Sequence, residues 1–516
     1  MYNPSETPNK ATMTILLSLL TILLLLFLLR KRKAVAAKKL PPCPRGLPLL
    51  GNLHQLGSFP HRSLNSLSKQ YGPLILLRLG IVAPTVVISS AELAEQVMKT
   101  QDLIFASRPP SSMANHLLYN STDIAFSPYN DYWRMMKKIS IVHLLSSRRV
   151  QSYKRVRQEE IDLLIEEIRT ASAAAEAVNL SKRLGVLTND IICRVALGRK
   201  YSGETRFREM LDEFQRLLGS FPMADFIPWL GWVDRVIGLE GRARRTSREL
   251  DQFLERVLEE HLSRKKSSNA IGSSKECEDL VDVLLSVKDE HGSEDADIPL
   301  GKEHIKALIL EMFAAGTDTT ITTLEWVMAE LIKHPILIQK VQREIRETLG
   351  SKQVIEEEDI DKLTYLKATI KETLRLHVPV ALLVPRLTTE DTQLKGYDIP
   401  VGTRIIINAW GIARDPNYWD TPDEFRPDRF INSNVDFRGQ HFQLTPFGAG
   451  RRACPGIGFA IAVIECTLAK LLQVFDWEVP EESKDEVLDM SEIAGLTIHK
   501  KSALIVIPKL HFAELT

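Results

Sequence analysis

One cysteine near the C-terminal end constrains this chain more than any other residue. Cys454 stands in the run Pro446-Phe447-Gly448-Ala449-Gly450-Arg451-Arg452-Ala453-Cys454-Pro455-Gly456, where three glycines and two arginines surround the sulfur. Glycine reaches backbone conformations closed to other residues, so amide N–H groups can turn toward a thiolate and a flat ligand can come close. Arg452 supplies a fixed charge suited to a carboxylate, and hydrogen bonds to the sulfur would tune it. A thiolate in such a loop suits axial ligation of haem iron, where it favours cleavage of a bound O–O bond. A buried structural cysteine in a glycine-rich turn is the plainer reading, and it leaves the complete order F-x-x-G-x-R-x-C-x-G unexplained.

A second stretch points the same way. His304 to His334 reads as one helix of about 45 Å, apolar through Ala307, Leu308, Leu310, Met312, Phe313 and Ala314 and stopped by Pro335. Its middle, Ala315-Gly316-Thr317-Asp318-Thr319-Thr320-Ile321-Thr322-Thr323, packs Gly and β-branched residues into a helix interior. There Gly costs about 1 kcal/mol relative to Ala, and such a local violation marks either a kink or a functional notch. Thr hydroxyls can bond carbonyls of the preceding turn, and Gly316 leaves room for a small ligand or water.

Together these motifs resemble the cytochrome P450 family, and the form PFG-x-GRR-x-CPG is similar to that of plant A-type microsomal members, the 71 clan. The resemblance runs from about Pro41 to Pro508 with four motifs in order. It implies a mainly α fold with small β-sheets, the cytochrome P450 fold, as a single large catalytic domain. Haem b is the implied cofactor, with Cys454 as its metal ligand and Phe447, Gly448 and Gly456 around it. Arg452, Arg386, Trp133 and Lys137 are the implied contacts to the haem edge. Lys137 stands where the family often has Arg, and a solvated surface charge is the competing reading of it. By the same resemblance Thr319 bonds the oxygen at the iron, Asp318 helps relay protons, and Glu372, Arg375 and Arg429 form a structural triad. The segment Phe425-Arg426-Pro427-Asp428-Arg429-Phe430 carries Asp428 where the family has Glu. Access and specificity surfaces are expected at 110–126, 218–226, 309–317, 380–384 and 494–497, mainly apolar, with Asp123 and Asp225 as exceptions.

The N-terminal region predicts a membrane anchor. Residues 13–29 hold no charge, and thirteen of them are Leu, Ile or Phe; such a run favours insertion by roughly 4 to 8 kcal/mol. Arg30, Lys31, Arg32, Lys33, Lys38 and Lys39 crowd its C-terminal side, which places the body in the cytosol and suits a retained signal anchor rather than a cleaved peptide. The expected organisation is a short lumenal N-terminus at 1–12, a single transmembrane span at 13–29, a basic and proline-rich hinge at 30–48 and the catalytic domain at 49–516. The hinge is expected to be a stiff extended spacer, and Ser263 to about Glu278 a solvated loop. The implied location is the endoplasmic reticulum membrane.

Lys plus Arg and Asp plus Glu both number 66, so no overall field recommends nucleic acid. Five scattered cysteines with no C-x-x-C argue against a disulfide framework or a zinc site. No dinucleotide fingerprint is visible, so electrons must come from another protein, by resemblance NADPH-cytochrome P450 reductase. Arg134, Lys137, Lys138 and Arg451 are the expected docking face. The implied reaction is monooxygenation of a lipophilic small molecule, a plant specialised metabolite. Two other readings stay open: a haem-thiolate isomerase or dehydratase that acts without O2, and a membrane-tethered haem protein with no turnover.

Overall fold

The computed structural model describes residues 38–201, 205–271, 279–291, 300–350, 354–480 and 488–511, with Ser18, Thr21 and Lys352 besides. The expected span at 13–29, apart from Ser18 and Thr21, the N-terminus at 1–12 and the hinge before Lys38 lie outside the described residues.

Helices dominate, as expected. Those of ten residues or more among the described residues are α1 (Pro60–Tyr71), α2 (Asp131–Ser140), α3 (Lys154–Ala173), α4 (Leu180–Leu197), α5 (Thr205–Leu218), α6 (Leu239–Ile271), α7 (Leu280–His291), α8 (Lys302–Lys333), α9 (Pro335–Leu349), α10 (Thr364–Leu376) and α11 (Ile457–Val474). The sheets are small. Strands β1 (Leu74–Leu77), β2 (Thr85–Ile88), β3 (Val178–Asn179), β4 (Arg386–Leu387), β5 (Thr392–Leu394), β6 (Tyr397–Ile399), β7 (Arg404–Ile407), β8 (Phe475–Glu478), β9 (Glu492–Ala494), β10 (Ile498–Lys500) and β11 (Ile505–Leu510) form four sheets, the largest in the order β1-β2-β7-β4. In it β2 and β7 pair in parallel, with Thr85 opposite Arg404, and their short apolar runs are buried almost throughout.

α8 is the axis of the molecule. Apolar side chains occur all round it rather than along one stripe, so it is buried on nearly every face, against α4, α10 and α11. Its bounds lie within two residues of those expected. His334, before a proline, leaves the helical region at φ −121°, ψ 83°, and Pro335 opens α9. α11 is long and apolar enough to cross a membrane by composition, yet 67% of its apolar window is buried inside the protein, where it carries the core behind the Cys454 loop.

One expectation changes. Ser263 to Ile271 belongs to a helix, not a loop, because α6 continues through Ile271, and 272–278 lie outside the described residues. Its Ser, Lys and Asn residues are compatible with a helix, and no Gly or Pro interrupts before Gly272. The described end of the proline-rich hinge lies against the body, where Leu76 N donates to Pro42 O at 2.8 Å and Asn52 Nδ2 to Pro44 O at 3.2 Å. Proline removes a donor and leaves its carbonyl available.

Candidate active site around Cys454

The loop that carries Cys454 is tied at each turn. Cys454 N donates to Phe447 O, Gly448 N to Thr445 O and Ala453 N to Gly450 O, each at 3.0 Å. Gly450 has φ 70°, and a Cβ there would stand 2.0 Å from Met98 O and 2.6 Å from Asp102 Oδ2, so no other residue fits. The Asp102 carboxylate accepts from Arg451 N at 2.6 Å and from Arg386 Nη1 at 2.8 Å. One buried acid thus joins the cysteine loop to β4.

Between this loop, α8 and the segment before β4 lies a cavity with about 260 Å3 available to the centres of water molecules. Of the described cysteines Cys454 alone lines it. It faces the cavity while lying deep in the protein, and that burial pushes the thiol pKa up while a hydrogen bond from the Gly456 backbone opposes the rise. Phe447, Gly448, Gly456 and Thr319 line the same cavity.

The charges around it are unbalanced. Arg108, Lys137, Arg386 and Arg452 line the cavity against one carboxyl group, Glu311. Arg452 donates to Ala106 O, Ile124 O and Ser127 O at 2.6, 2.9 and 2.6 Å and stacks on Trp133 at 4.2 Å. Arg108 donates to Ala125 O, Val384 O and Pro385 O at 2.7, 2.6 and 2.9 Å. Both guanidinium groups are thus bonded to neutral carbonyls. Burial, then Arg386, pulls Arg452 down to about 9; burial, then Arg452, pulls Lys137 down to about 8; burial pulls Arg108 well below the usual arginine range. Desolvated cations that repel one another are relieved by an anion. A cavity with a sulfur in one wall, apolar side chains and a cationic rim fits a haem, whose carboxylates the rim cations would hold.

Individual residues differ from expectation in detail. The Trp133 indole donates to Ile124 O at 2.9 Å, and Trp133 both lines the cavity and backs Arg452. Lys137 is half-buried and lines the cavity, and its Nζ donates to Arg451 O and overlies Trp133 at 5.1 Å. Thr319 Oγ1 donates to Ala315 O at 2.7 Å, the back-bond expected of a Thr cluster in a helix. Asp318 does not line the cavity; its carboxylate is held by the Thr497 hydroxyl and by His499 Nε2 at 3.1 Å. Gly316 lines the cavity, but a Cβ there would lie 2.9 Å from Ile192 Cδ1, so its missing side chain also admits close packing of α4. Segments 218–226 and 494–497 contribute nothing to this cavity, and Asp123 and Asp225 instead accept Phe126 N and Ser112 N, at 2.6 and 3.1 Å. Sequence reasoning missed Arg108, Glu311 and His499. Glu311 left one signal, a lone carboxyl in the apolar run Leu308-Ile309-Leu310-Glu311-Met312-Phe313. Burial and then Asp123 push its pKa up, and its Oε2 accepts Ile124 N at 2.6 Å.

The profile of the cytochrome P450 family matches residues 41–507. The chain belongs to that family. Cytochrome P450 71A1 of Persea americana is 49% identical over 467 residues, 90% of this chain and 92% of that protein. Norfluorocurarine oxidase of a Strychnos species is 46% identical over 502 residues, covering 95% of this chain and 97% of that protein. Among solved structures, a zebrafish cytochrome P450 with abiraterone superposes with a TM-score of 0.73 at 28% identity, covering 88% of this chain and all of that one. The family, the fold and the cofactor expected from the sequence are therefore borne out: this P450 binds haem with a cysteine thiolate on the iron. It is a member of a family of haem oxidoreductases, typically monooxygenases.

Proposed function

We propose that this P450 inserts one oxygen atom from O2 into a lipophilic plant specialised metabolite, the other atom leaving as water. Electrons come from NADPH through NADPH-cytochrome P450 reductase in the endoplasmic reticulum membrane, where residues 13–29 anchor a cytosolic body spanning 49–516. The observation that carries the reading is that Cys454 and Thr319 line one cavity with apolar side chains between them, among them Leu308, Met312, Val380 and Leu383, and cations at its rim. Haem b, when bound, supplies the oxygen chemistry, which a thiolate ligand favours.

The chain's own residues set the conditions for that chemistry. Cys454 is the iron ligand, and the Gly456 amide steadies its sulfur. Arg386, Arg452, Lys137 and Arg108 would hold the haem carboxylates, with Trp133 backing Arg452, and Phe447 and Gly448 would contribute to the haem-binding wall. Thr319 presents its hydroxyl at the cavity wall, and the apolar lining excludes water and orients an apolar substrate. Arg134, Lys138 and Arg451 are exposed and form the basic reductase-docking face; Lys137, turned to the cavity, is not part of it.

The test is to incubate membrane-bound protein, reductase and NADPH with plant metabolites under isotopically heavy dioxygen. NADPH-dependent label in a product is expected. Turnover that needs neither NADPH nor O2 would overturn the proposal.

A further inference from the structure

Asp318 is gripped from the hairpin β9–β10, on the side of α8 away from the cavity. Thr497 Oγ1 donates to Asp318 Oδ2. His499 Nε2 lies 3.1 Å from Asp318 Oδ1 and 2.6 Å from Thr497 Oγ1, and His499 Nδ1 lies 2.9 Å from Thr322 Oγ1. Thr322 in turn donates to Asp318 O at 2.8 Å.

A hydroxyl has one proton to give. Thr322 gives its proton to a carbonyl and can only accept at Nδ1. Thr497 gives its proton to Asp318 and can only accept at Nε2, as can the carboxylate. With the hydroxyls donating in this way both ring nitrogens face acceptors, an arrangement that a doubly protonated imidazolium satisfies. Burial pulls the ring's pKa down, but Asp318 and then Glu325 outweigh it and leave it raised. The other charged groups around the network are Lys500, which faces Glu325, and Asp212 of α5, which faces Asp318.

We infer that His499 and Thr497 form a proton relay that recharges Asp318 from solvent. The inference rests on the monooxygenase reading. In the step the Nε2–H bond breaks as Thr497 Oγ takes that proton, and the hydroxyl proton of Thr497 passes to Asp318 Oδ2. A neutral imidazole and a carboxylic acid result, with the proton count unchanged and no electron moved. Asp318 then holds a proton one residue from Thr319. The His499 side chain, 30% exposed, regains its proton from water. His499 and Thr497 are positioning residues, since they act through Asp318.

The test uses the haem-loaded, membrane-anchored protein with reductase, and compares wild type with His499→Gln, Thr497→Val and Thr497→Ser. A thiolate-type carbon monoxide spectrum confirms that each variant is folded. Histidine-selective 15N labelling, assigned by the signal lost in His499→Gln, should show both ring nitrogens protonated at neutral pH. His499→Gln and Thr497→Val should release several-fold more hydrogen peroxide per NADPH than wild type and lose its decline in coupling at alkaline pH, and Thr497→Ser should restore both. A neutral ring at neutral pH, or folded variants with unchanged coupling and pH profile beside an active wild type, would overturn the relay alone. A wild type that oxygenates nothing with NADPH would overturn the monooxygenase reading instead, and the ring's protonation would still be read.

Discussion

Glu372 and Arg375, three residues apart on α10, form a wholly buried bidentate pair with N–O distances of 2.7 and 2.9 Å. The remaining Arg375 donors reach Ala413 O, Pro422 O and Glu424 O, while Glu372 also accepts Arg426 N at 2.7 Å and Arg429 Nε at 3.0 Å. The expected triad is thus present, and it pins α10 to the segment leading to the cysteine loop. Asp428, at the position where the family has Glu, is used separately, by Lys340 at 2.5 Å and the Tyr365 hydroxyl at 3.0 Å.

Truncating one member leaves a buried charge unpaired. Glu372→Ala should destabilise the protein by about 3 to 5 kcal/mol. Arg375→Lys should also fail, because three donors on a flexible stem cannot replace a five-donor fork. Thermal unfolding and the haem content of purified protein check both.

Cys454→Ser removes the sulfur proposed as the soft ligand while keeping the loop, since Cys454 is tied into it by its backbone N–H to Phe447 O. The variant should fold, and its reduced carbon monoxide adduct should lose the red-shifted band of sulfur coordination. Absorption spectroscopy decides it, and a band unchanged from wild type would move the ligand elsewhere.

Two glycines near the site should respond oppositely to alanine. Gly450→Ala drives a Cβ to 2.0 Å from the Met98 carbonyl in a left-handed conformation, so the loop must move. Loss of haem binding and of several degrees of melting temperature is expected. Gly458 lies in the first turn of α11, and no atom stands within 4 Å of where an added methyl group would sit. Its replacement by alanine should stabilise the protein by about 0.5 to 1 kcal/mol.

Glu492, on β9, gives an acid-range prediction. Burial raises its pKa, but His61 at 3.6 Å and Arg62 at 2.5 Å outweigh that and hold it at about 2. A carboxylate depressed on folding contributes stability that is present above its unfolded pKa, about 4.3, and is lost as pH falls through the folded value. Wild type should therefore exceed Glu492→Gln by up to about 3 kcal/mol at pH 5, and the gap should close as the pH approaches 2. Denaturant unfolding at stepped pH measures it, and a gap independent of pH would count against this role.

What the chain alone determined is whatever depends on neighbours along it. The order of residues around Cys454, the helix that Pro335 ends, the spacing of Glu372 and Arg375 and the uncharged run at 13–29 each carry their own physics in a few adjacent positions. Family, fold class and cofactor followed from them. Only the tertiary structure decided what each polar group is bonded to. Arg108 and Arg452 come together across 344 positions because both find carbonyl partners on the same loop around Ile124, Ala125 and Ser127. Asp318 turns from the cavity because a hairpin some 180 residues further on brings Thr497 and His499 against it. Such pairings are set by how helices and hairpins pack, and a buried polar side chain takes whichever partner that packing brings within hydrogen-bond reach.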